Sequence, residues 1–211
     1  MERHVERRRD RNRFDHPEAG THESFTVTIA WGDGTVDNVA SAVVQGSASV
    51  LTRGTFTGRH TYAQGGTYDV TVTLCDDDLG CDSATFRYAV APIDIKPAIR
   101  RRGGTGYDAR LPQGKIPVVM YATPTFDPTK INVPTLQLYP GGASELDQKL
   151  TAADIAPKDG RKDATAHFST WAAKIQPSDT VGWVTGELAD GTPFFGVDLI
   201  GVNPASARIP F

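Results

Sequence analysis

Three stretches of the chain alternate between apolar and polar residues with the period of a β-strand that buries one face. In the first stretch, Phe25, Val27, Ile29 and Trp31 alternate with two threonines and an alanine. The alternation returns over residues 67–74 and 83–90, where the apolar positions are Tyr68, Val70, Val72, Leu74, Ala84, Phe86, Tyr88 and Val90. We expect these stretches to be walls of an antiparallel sandwich.

Four short motifs follow one another along this region. Trp-Gly-Asp-Gly-Thr occupies residues 31–35, His-Thr-Tyr residues 60–62, Gly-Thr-Tyr-Asp residues 66–69, and Asp-Asp-Asp-Leu-Gly residues 76–80. Their order and spacing resemble the PKD domain, an immunoglobulin-like module of secreted and cell-surface proteins. The motif positions expected to be structural are Trp31, Gly32, Asp33, Gly34, His60, Tyr62, Gly66 and Tyr68. The resemblance implies a seven-strand-type sandwich with a role in spacing, adhesion or accessory binding.

The second half of the chain also has the composition of a β-protein. Strands are predicted over residues 115–121, 135–139, 163–168, 180–187 and 193–202, and any helix is expected near residues 144–153. Motifs between residues 93 and 203 resemble a domain that often follows PKD repeats near the C-terminus of large bacterial secreted proteins. Among these motifs are Ile-Asp-Ile-Lys-Pro at residues 93–97 and His167 with Phe168.

The expected architecture is all-β, with two tandem β-sandwich domains. The first is the PKD-like, immunoglobulin-like sandwich over residues 14–91, and the second is a sandwich or partly open barrel over residues 92–211. Residues 1–13 contain one apolar side chain, that of Val5, and are expected to form a disordered basic arm. Because Phe14 falls where the second PKD strand ends, the first strand or strands are expected to be absent, as in a fragment of a longer protein.

Charge and hydropathy exclude two classes of partner. The chain holds 22 Lys and Arg against 25 Asp and Glu, which gives a net charge of -3. The first 13 residues hold six Arg and three acidic residues, so the remainder of the chain carries a net charge of -6. This balance argues against nucleic-acid binding. No apolar run is long enough to insert into a membrane, and no signal peptide is recognisable. The predicted location is extracellular or at the cell surface, with the signal peptide lost with upstream sequence.

Cys75 and Cys81 flank a five-residue loop between two predicted strands, and the alternation places both on the outer strand faces. A hairpin with such a loop sets the two residues opposite one another, which favours a disulfide and an oxidising compartment. The alternative is a pair of exposed thiols.

Two acidic groups are candidate calcium ligands, and no other cofactor is expected. Asp76, Asp77 and Asp78 are clustered in a turn, where aspartate also caps backbone N–H groups. In the relatives of the second domain, the segment before His167 looks like a calcium loop. That loop is degraded in this chain to Asp154, Asp159 and Asp163, for which an Asp-Gly turn with capping carboxylates is the alternative.

The candidate ligand surface is aromatic. Trp171, Trp183, Phe194 and Phe195 are expected either to form a platform that stacks on sugars or to belong to the core. None of the five histidines lies in a catalytic motif, so no enzyme is expected. Two functions stay open. One is a non-catalytic structural, adhesion or spacer segment of a larger protein. The other is an accessory module of a secreted hydrolase that binds polysaccharide or protein.

Overall fold

The computed structural model describes residues 13–16, 24–47, 50–95, 100–101, 104–105, 114–155, 157–176 and 179–200. The fold is all-β, as predicted, and its strands form several open sheets. The chain divides into two compact units, which are Met1–Ala63 with Tyr68–Arg87, and Gln64–Thr67 with Tyr88–Phe211. No helix in the described ranges has the length and apolar character needed to cross a membrane.

The first unit contains two antiparallel sheets. Its strands are β1 (Arg13–His16), β2 (Phe25–Ala30), β3 (Val36–Val39), β4 (Ser41–Val44), β5 (Thr52–Phe56), β6 (Gly66–Asp76) and β7 (Cys81–Val90). One sheet has the order β1-β5-β4, and the other has the order β7-β6-β2-β3. The hairpin between β2 and β3 forms at the predicted Asp-Gly turn, where Trp31 N donates to Thr35 O.

The alternation in the first unit buries only some of the expected side chains, and Val72 and Leu74 on β6 are partly exposed. Val27, Ile29, Trp31 and Val70 are at most 4% exposed. The prediction for β7 is wrong at Ala84, because every residue from 81 to 85 is exposed.

The second unit is built from two larger sheets. Its strands are β8 (Ile93–Ile95), β9 (Arg100–Arg101), β10 (Gly104–Thr105), β11 (Lys115–Met120), β12 (Gln137–Tyr139), β13 (Ala143–Ser144), β14 (Thr151–Ala153), β15 (Asp163–Ser169), β16 (Val181–Glu187) and β17 (Pro193–Leu199). One sheet has the order β14-β15-β11-β8, and the other contains β13-β12-β16-β17. The last residues of β7, from Tyr88 onward, belong to this unit and pair in parallel with β17, with Ala89 opposite Phe194.

The core of the second unit is extensive and apolar. Its fully buried large side chains include Phe126, Phe168, Phe194, Leu136 and Leu138. Two 3-10 turns, Pro128–Lys130 and Val133–Thr135, and one short helix, α1 (Thr170–Ala173), connect the strands.

The helix predicted near residues 144–153 is absent from that segment, which forms β13, a bend and β14. The carboxylate of Glu145 is buried and accepts the backbone N–H groups of Lys149 and His167, each at 3.2 Å. Such side-chain bonds to the backbone compete with helix formation. The helix instead starts after Ser169, whose hydroxyl caps Ala172 N.

Candidate functional site

The outer face of the sheet β13-β12-β16-β17 carries the candidate site. Along β16, Gly182 and Val184 are buried, so Trp183 between them projects to the outer side. The strand register places Trp183 opposite Tyr139 on β12 and opposite Val197 on β17. An aromatic pair therefore lies side by side on the outer side of the sheet.

The two rings are held in a defined geometry. The Tyr139 and Trp183 rings are parallel to within 3°, and their centroids are 5.5 Å apart. The Tyr139 hydroxyl donates to Gln137 Oε1 at 2.7 Å, within the same strand. Because Gln137 is also outward-facing, the aromatic pair has an amide group fixed beside it.

Apolar side chains extend this surface along the strands. Val181 lies opposite Leu199 in the next outward row, and Leu199 is 64% exposed. We call the set Tyr139, Val181, Trp183, Val197 and Leu199 the aromatic face. On β16, Thr185 and Glu187 continue the outward positions beyond Trp183 and add polar groups beside it.

Of the four aromatic residues predicted to form a platform, Trp183 and Phe195 lie on this outer side of the sheet. Phe194 does not, because it is 2% exposed and packs in the core against Phe126 with centroids 5.7 Å apart. Adjacent strand residues point to opposite faces, so Phe194 and Phe195 cannot share a platform. Trp171, which is 74% exposed, lies on α1 and outside the sheet.

Tyr139 was not among the residues predicted to form the platform. The signal for it was the Gln-Leu-Tyr alternation of β12, in which Leu138 is buried and its two neighbours face outward. Its partnership with Trp183 depends on strand pairing across 44 residues of sequence, which alternation alone does not provide.

The aromatic face is chemically suited to stacking. An aromatic ring offers a large apolar surface, while nearby amide and hydroxyl groups supply directed hydrogen bonds. A sugar ring has the matching character, with C–H groups on its faces and hydroxyls around its edge. Gln137 and Thr185 are the polar groups placed next to the stacked pair.

In the first unit, the predicted motif residues interlock as a structural cluster. Trp31 stacks on His60 with centroids 4.9 Å apart, and His60 Nε2 lies 2.7 Å from Asp33 Oδ2. The Tyr62 ring stacks on Tyr68 at 4.1 Å, and the Tyr62 hydroxyl donates to Trp31 O at 3.0 Å. The Tyr62 hydroxyl thus bonds back onto the backbone of the strand end.

Asp33 is the charged centre of this cluster. Burial raises the pKa of Asp33, but hydrogen bonds from Thr35 and His60 outweigh burial and lower the pKa to about 2. Gly32 next to it has a φ of +83°, and a Cβ there would approach Asp69 O to 2.6 Å. The turn therefore requires glycine at this position.

Cys75 and Cys81 form a disulfide, which completes a row of cross-strand pairs on β6 and β7. The other pairs are Asp69 with Arg87 at 2.9 Å, Thr71 with Thr85 at 2.8 Å, and Thr73 with Ser83 at 2.9 Å. We call these four pairs the cross-strand ladder.

The first calcium candidate, at Asp76, Asp77 and Asp78, forms a turn. Asp76 Oδ1 accepts the N–H of Gly80 at 2.7 Å, as a turn-capping aspartate does. Across the described ranges, these three carboxylates do not form a group with oxygens within 4.8 Å of one another.

The carboxylates of the second calcium candidate likewise accept hydrogen bonds that cap the backbone or pair with a side chain. Asp163 accepts the N–H groups of Ala122 and Ile155, each at 2.9 Å, and Asp159 pairs with the Arg161 guanidinium at 2.6 Å. Asp154 Oδ2 accepts Gly160 N, while Asp154 Oδ1 is buried with no partner in the described structure. The three carboxylates do not form a group with oxygens within 4.8 Å of one another in the described ranges, and calcium binding there stays a prediction.

The sequence matches no protein-family model and no curated protein. Among solved structures, the chain is similar to SGBP-B of the Bacteroides ovatus mixed-linkage glucan utilization locus, solved in complex with a mixed-linkage heptasaccharide. The TM-score is 0.30 and the sequence identity is 15%. The similarity covers 94% of this chain and 49% of the other, so this chain spans about half the length of that protein.

Proposed function

We propose that this chain is a non-catalytic segment of an extracellular protein and that its second unit binds polysaccharide through the aromatic face. The observation that carries the proposal is the parallel Tyr139–Trp183 pair on the outer side of the sheet, with Gln137 bonded beside it.

The core does not require these outward aromatic rings. On the inner side of the same strands, Leu138 and Val184 are fully buried and supply the packing. A ring on the outer side buries less surface and contributes less to folding, because the stabilisation from burial scales with the apolar area removed from water. Binding to a flat apolar partner accounts for both rings, and a sugar chain offers that flat surface together with hydroxyls for Gln137 and Thr185.

For the first unit, we propose a PKD-type module that acts as a spacer or adhesion segment. The interlocked cluster around Trp31 and Asp33 supports this assignment, because it joins the motif residues that carry the resemblance. The Cys75–Cys81 disulfide supports an oxidising, extracellular compartment. This spacer role is the second candidate function for the whole chain, which holds if the aromatic face binds nothing.

The test is retention of the purified chain on insoluble cellulose, chitin and collagen, followed by a moderate salt wash. We expect retention on a polysaccharide that is lost in Trp183→Ala and weakened in Tyr139→Ala. Trp171→Ala is the matched control, because it removes the same side chain from a more exposed position on α1. Retention on collagen, compared with retention on cellulose and chitin, distinguishes binding to a protein fibre from binding to a polysaccharide.

Retention that is unchanged in Trp183→Ala, or that disappears in Trp171→Ala alone, contradicts the assignment to the aromatic face. Absence of retention on every matrix leaves the spacer function. Thermal unfolding of each variant confirms that any loss of binding is not a loss of fold.

Calcium binding near Asp154 stays a prediction, supported by one unpartnered buried carboxylate oxygen. A rise in the unfolding temperature in millimolar calcium relative to EDTA, absent in Asp154→Asn, is the expected result. An unchanged unfolding temperature would contradict calcium binding.

A further inference from the structure

A second cluster of chemically active groups lies where the bend after β13 meets β15 in the second unit. Glu145, Asp147 and His167 each bring one ligand atom to a position within 4.8 Å of the other two. His167 Nδ1 is 3.7 Å from Asp147 Oδ2. We call these three residues the carboxylate–imidazole cluster.

The local fold sets the position of each group. His167 is on β15 between the buried residues Ala166 and Phe168, so its ring points to the outer side of that sheet. The bend after β13 is held against β15, because Leu146 N donates to His167 O at 2.9 Å. Gln148 Nε2 donates to Glu145 O at 3.0 Å and closes the bend.

The charges of the cluster are not balanced. Glu145 is 2% exposed, and its carboxylate bonds are to neutral backbone N–H groups. The nearby ammonium group of Lys115 instead binds Asp147, with distances of 2.8 and 3.1 Å to its two oxygens. In the part of the chain that the structure describes, no Lys or Arg nitrogen forms an ion pair with Glu145. A buried carboxylate is costly without a positive partner, and among the described residues a bound cation would offset the charge of Glu145.

From these observations we propose that Glu145, Asp147 and His167 bind a divalent transition ion of the zinc type. One imidazole and two carboxylate oxygens form a mixed nitrogen and oxygen set, which suits zinc and is poor for calcium. Ligands around a tetrahedral zinc stand about 3.4 Å apart, so a small rotation of the surface side chain of Asp147 brings the set together. Water completes the coordination.

Lys115 is the built-in competitor for this ion. Its ammonium group occupies the Asp147 carboxylate and would have to leave before the metal binds. The Lys115 side chain is 54% exposed, which leaves it room to move into solvent. The proposal therefore predicts that removal of Lys115 strengthens metal binding, which a purely structural ion pair would not do.

The experiment is calorimetric titration of the full chain with zinc, compared with calcium. We expect zinc binding at one site, which is lost in Asp147→Asn and in His167→Ala and becomes tighter in Lys115→Met. Asp127→Asn is the matched control, since Asp127 is a half-exposed carboxylate of the same unit bonded to Thr129.

Zinc binding that persists unchanged in both Asp147→Asn and His167→Ala would overturn the proposal, and so would weaker binding in Lys115→Met. Neither ligand variant removes a buried side chain, so both proteins should stay folded, and circular dichroism checks this. Absence of zinc binding in the unmodified chain and in Lys115→Met also rejects the site.

Discussion

The outer sheet faces of the two units differ in what they present to solvent. In the first unit, the outward positions of β6 and β7 form the cross-strand ladder of hydroxyl pairs, an ion pair and a disulfide. In the second unit, the outward positions of β12 and β16 form the stacked Tyr139–Trp183 pair. The same alternation of strand residues produces both faces, so the fold does not decide the function; the identity of the outward residues does.

The interiors differ as well. The second unit buries a large apolar cluster that includes Phe126, Phe168 and Phe194. The first unit buries fewer large side chains and adds the cluster of Asp33, His60 and Trp31, together with the disulfide. We therefore expect the second unit to be sensitive to loss of apolar volume and the first to loss of polar partners and covalent links.

The largest expected effect on stability comes from replacing one of two adjacent phenylalanines on β17. Phe194→Ala should lower the free energy of unfolding by about 3 to 5 kcal/mol, because it empties part of a packed core. Phe195→Ala, one residue along on the opposite side, should cost much less. Chemical denaturation monitored by tryptophan fluorescence measures both. Equal costs for the two variants would contradict the assignment of inner and outer sides.

The disulfide of the first unit gives the next largest expected effect on stability. The double substitution Cys75→Ser and Cys81→Ser should lower the free energy of unfolding by about 2 kcal/mol. The effect is at the low end for a disulfide because closing a short loop removes little entropy from the unfolded chain. Polysaccharide retention should be unaffected, because the aromatic face belongs to the second unit. Loss of retention in the doubly substituted chain would mean that the two faces are not independent.

The Asp33 cluster gives a pH-dependent effect of about 1 to 3 kcal/mol, typical of a hydrogen-bonded charged group. The folded-state pKa of Asp33, about 2, lies below the ordinary value of 3.8, so the stabilisation is present above about pH 4 and is lost as the pH falls towards 2. Asp33→Ala should lack this pH-dependent contribution. Unfolding measured between neutral and acidic pH tests the difference.

Asp69→Ala is the control for that series. Asp69 pairs with Arg87 on the surface, where both side chains are more than half exposed, so its removal should have little effect on stability. If Asp69→Ala and Asp33→Ala cost the same at neutral pH, the cluster around Asp33 has no special structural role.

Alternation predicted the inward residues of β2 and the bounds of β11, β15 and β16 to within one residue. In β2, β15 and β16, buried and less buried residues alternate over most of the strand, so the burial pattern is local to the sequence; in β11 the last three residues, from Val118 to Met120, are all buried. The disulfide could also be inferred, since a hairpin brings its flanking residues together. These features depend on residues close in sequence.

The contacts that alternation could not predict depend on pairing between strands that are distant in sequence. The partnership of Tyr139 with Trp183 requires the register of β12 with β16, and the carboxylate–imidazole cluster requires the bend after β13 to meet β15. The predicted helix near residues 144–153 failed for the same reason, because the buried Glu145 is held by His167, which is 22 residues away.

The smallest expected effect lies in the cross-strand ladder. Thr71→Val keeps the branched shape that suits a strand and removes one exposed hydroxyl pair with Thr85, so the stability should change by less than about 1 kcal/mol. Thr52→Val is the matched comparison in the same unit, because the Thr52 hydroxyl is buried and accepts Gly46 N at 2.9 Å. That variant leaves the partly buried N–H of Gly46 unpaired and should cost about 1 to 3 kcal/mol. A ladder variant as destabilised as Thr52→Val would show that the hydroxyl pairs hold the first unit together and are more than a solvated surface.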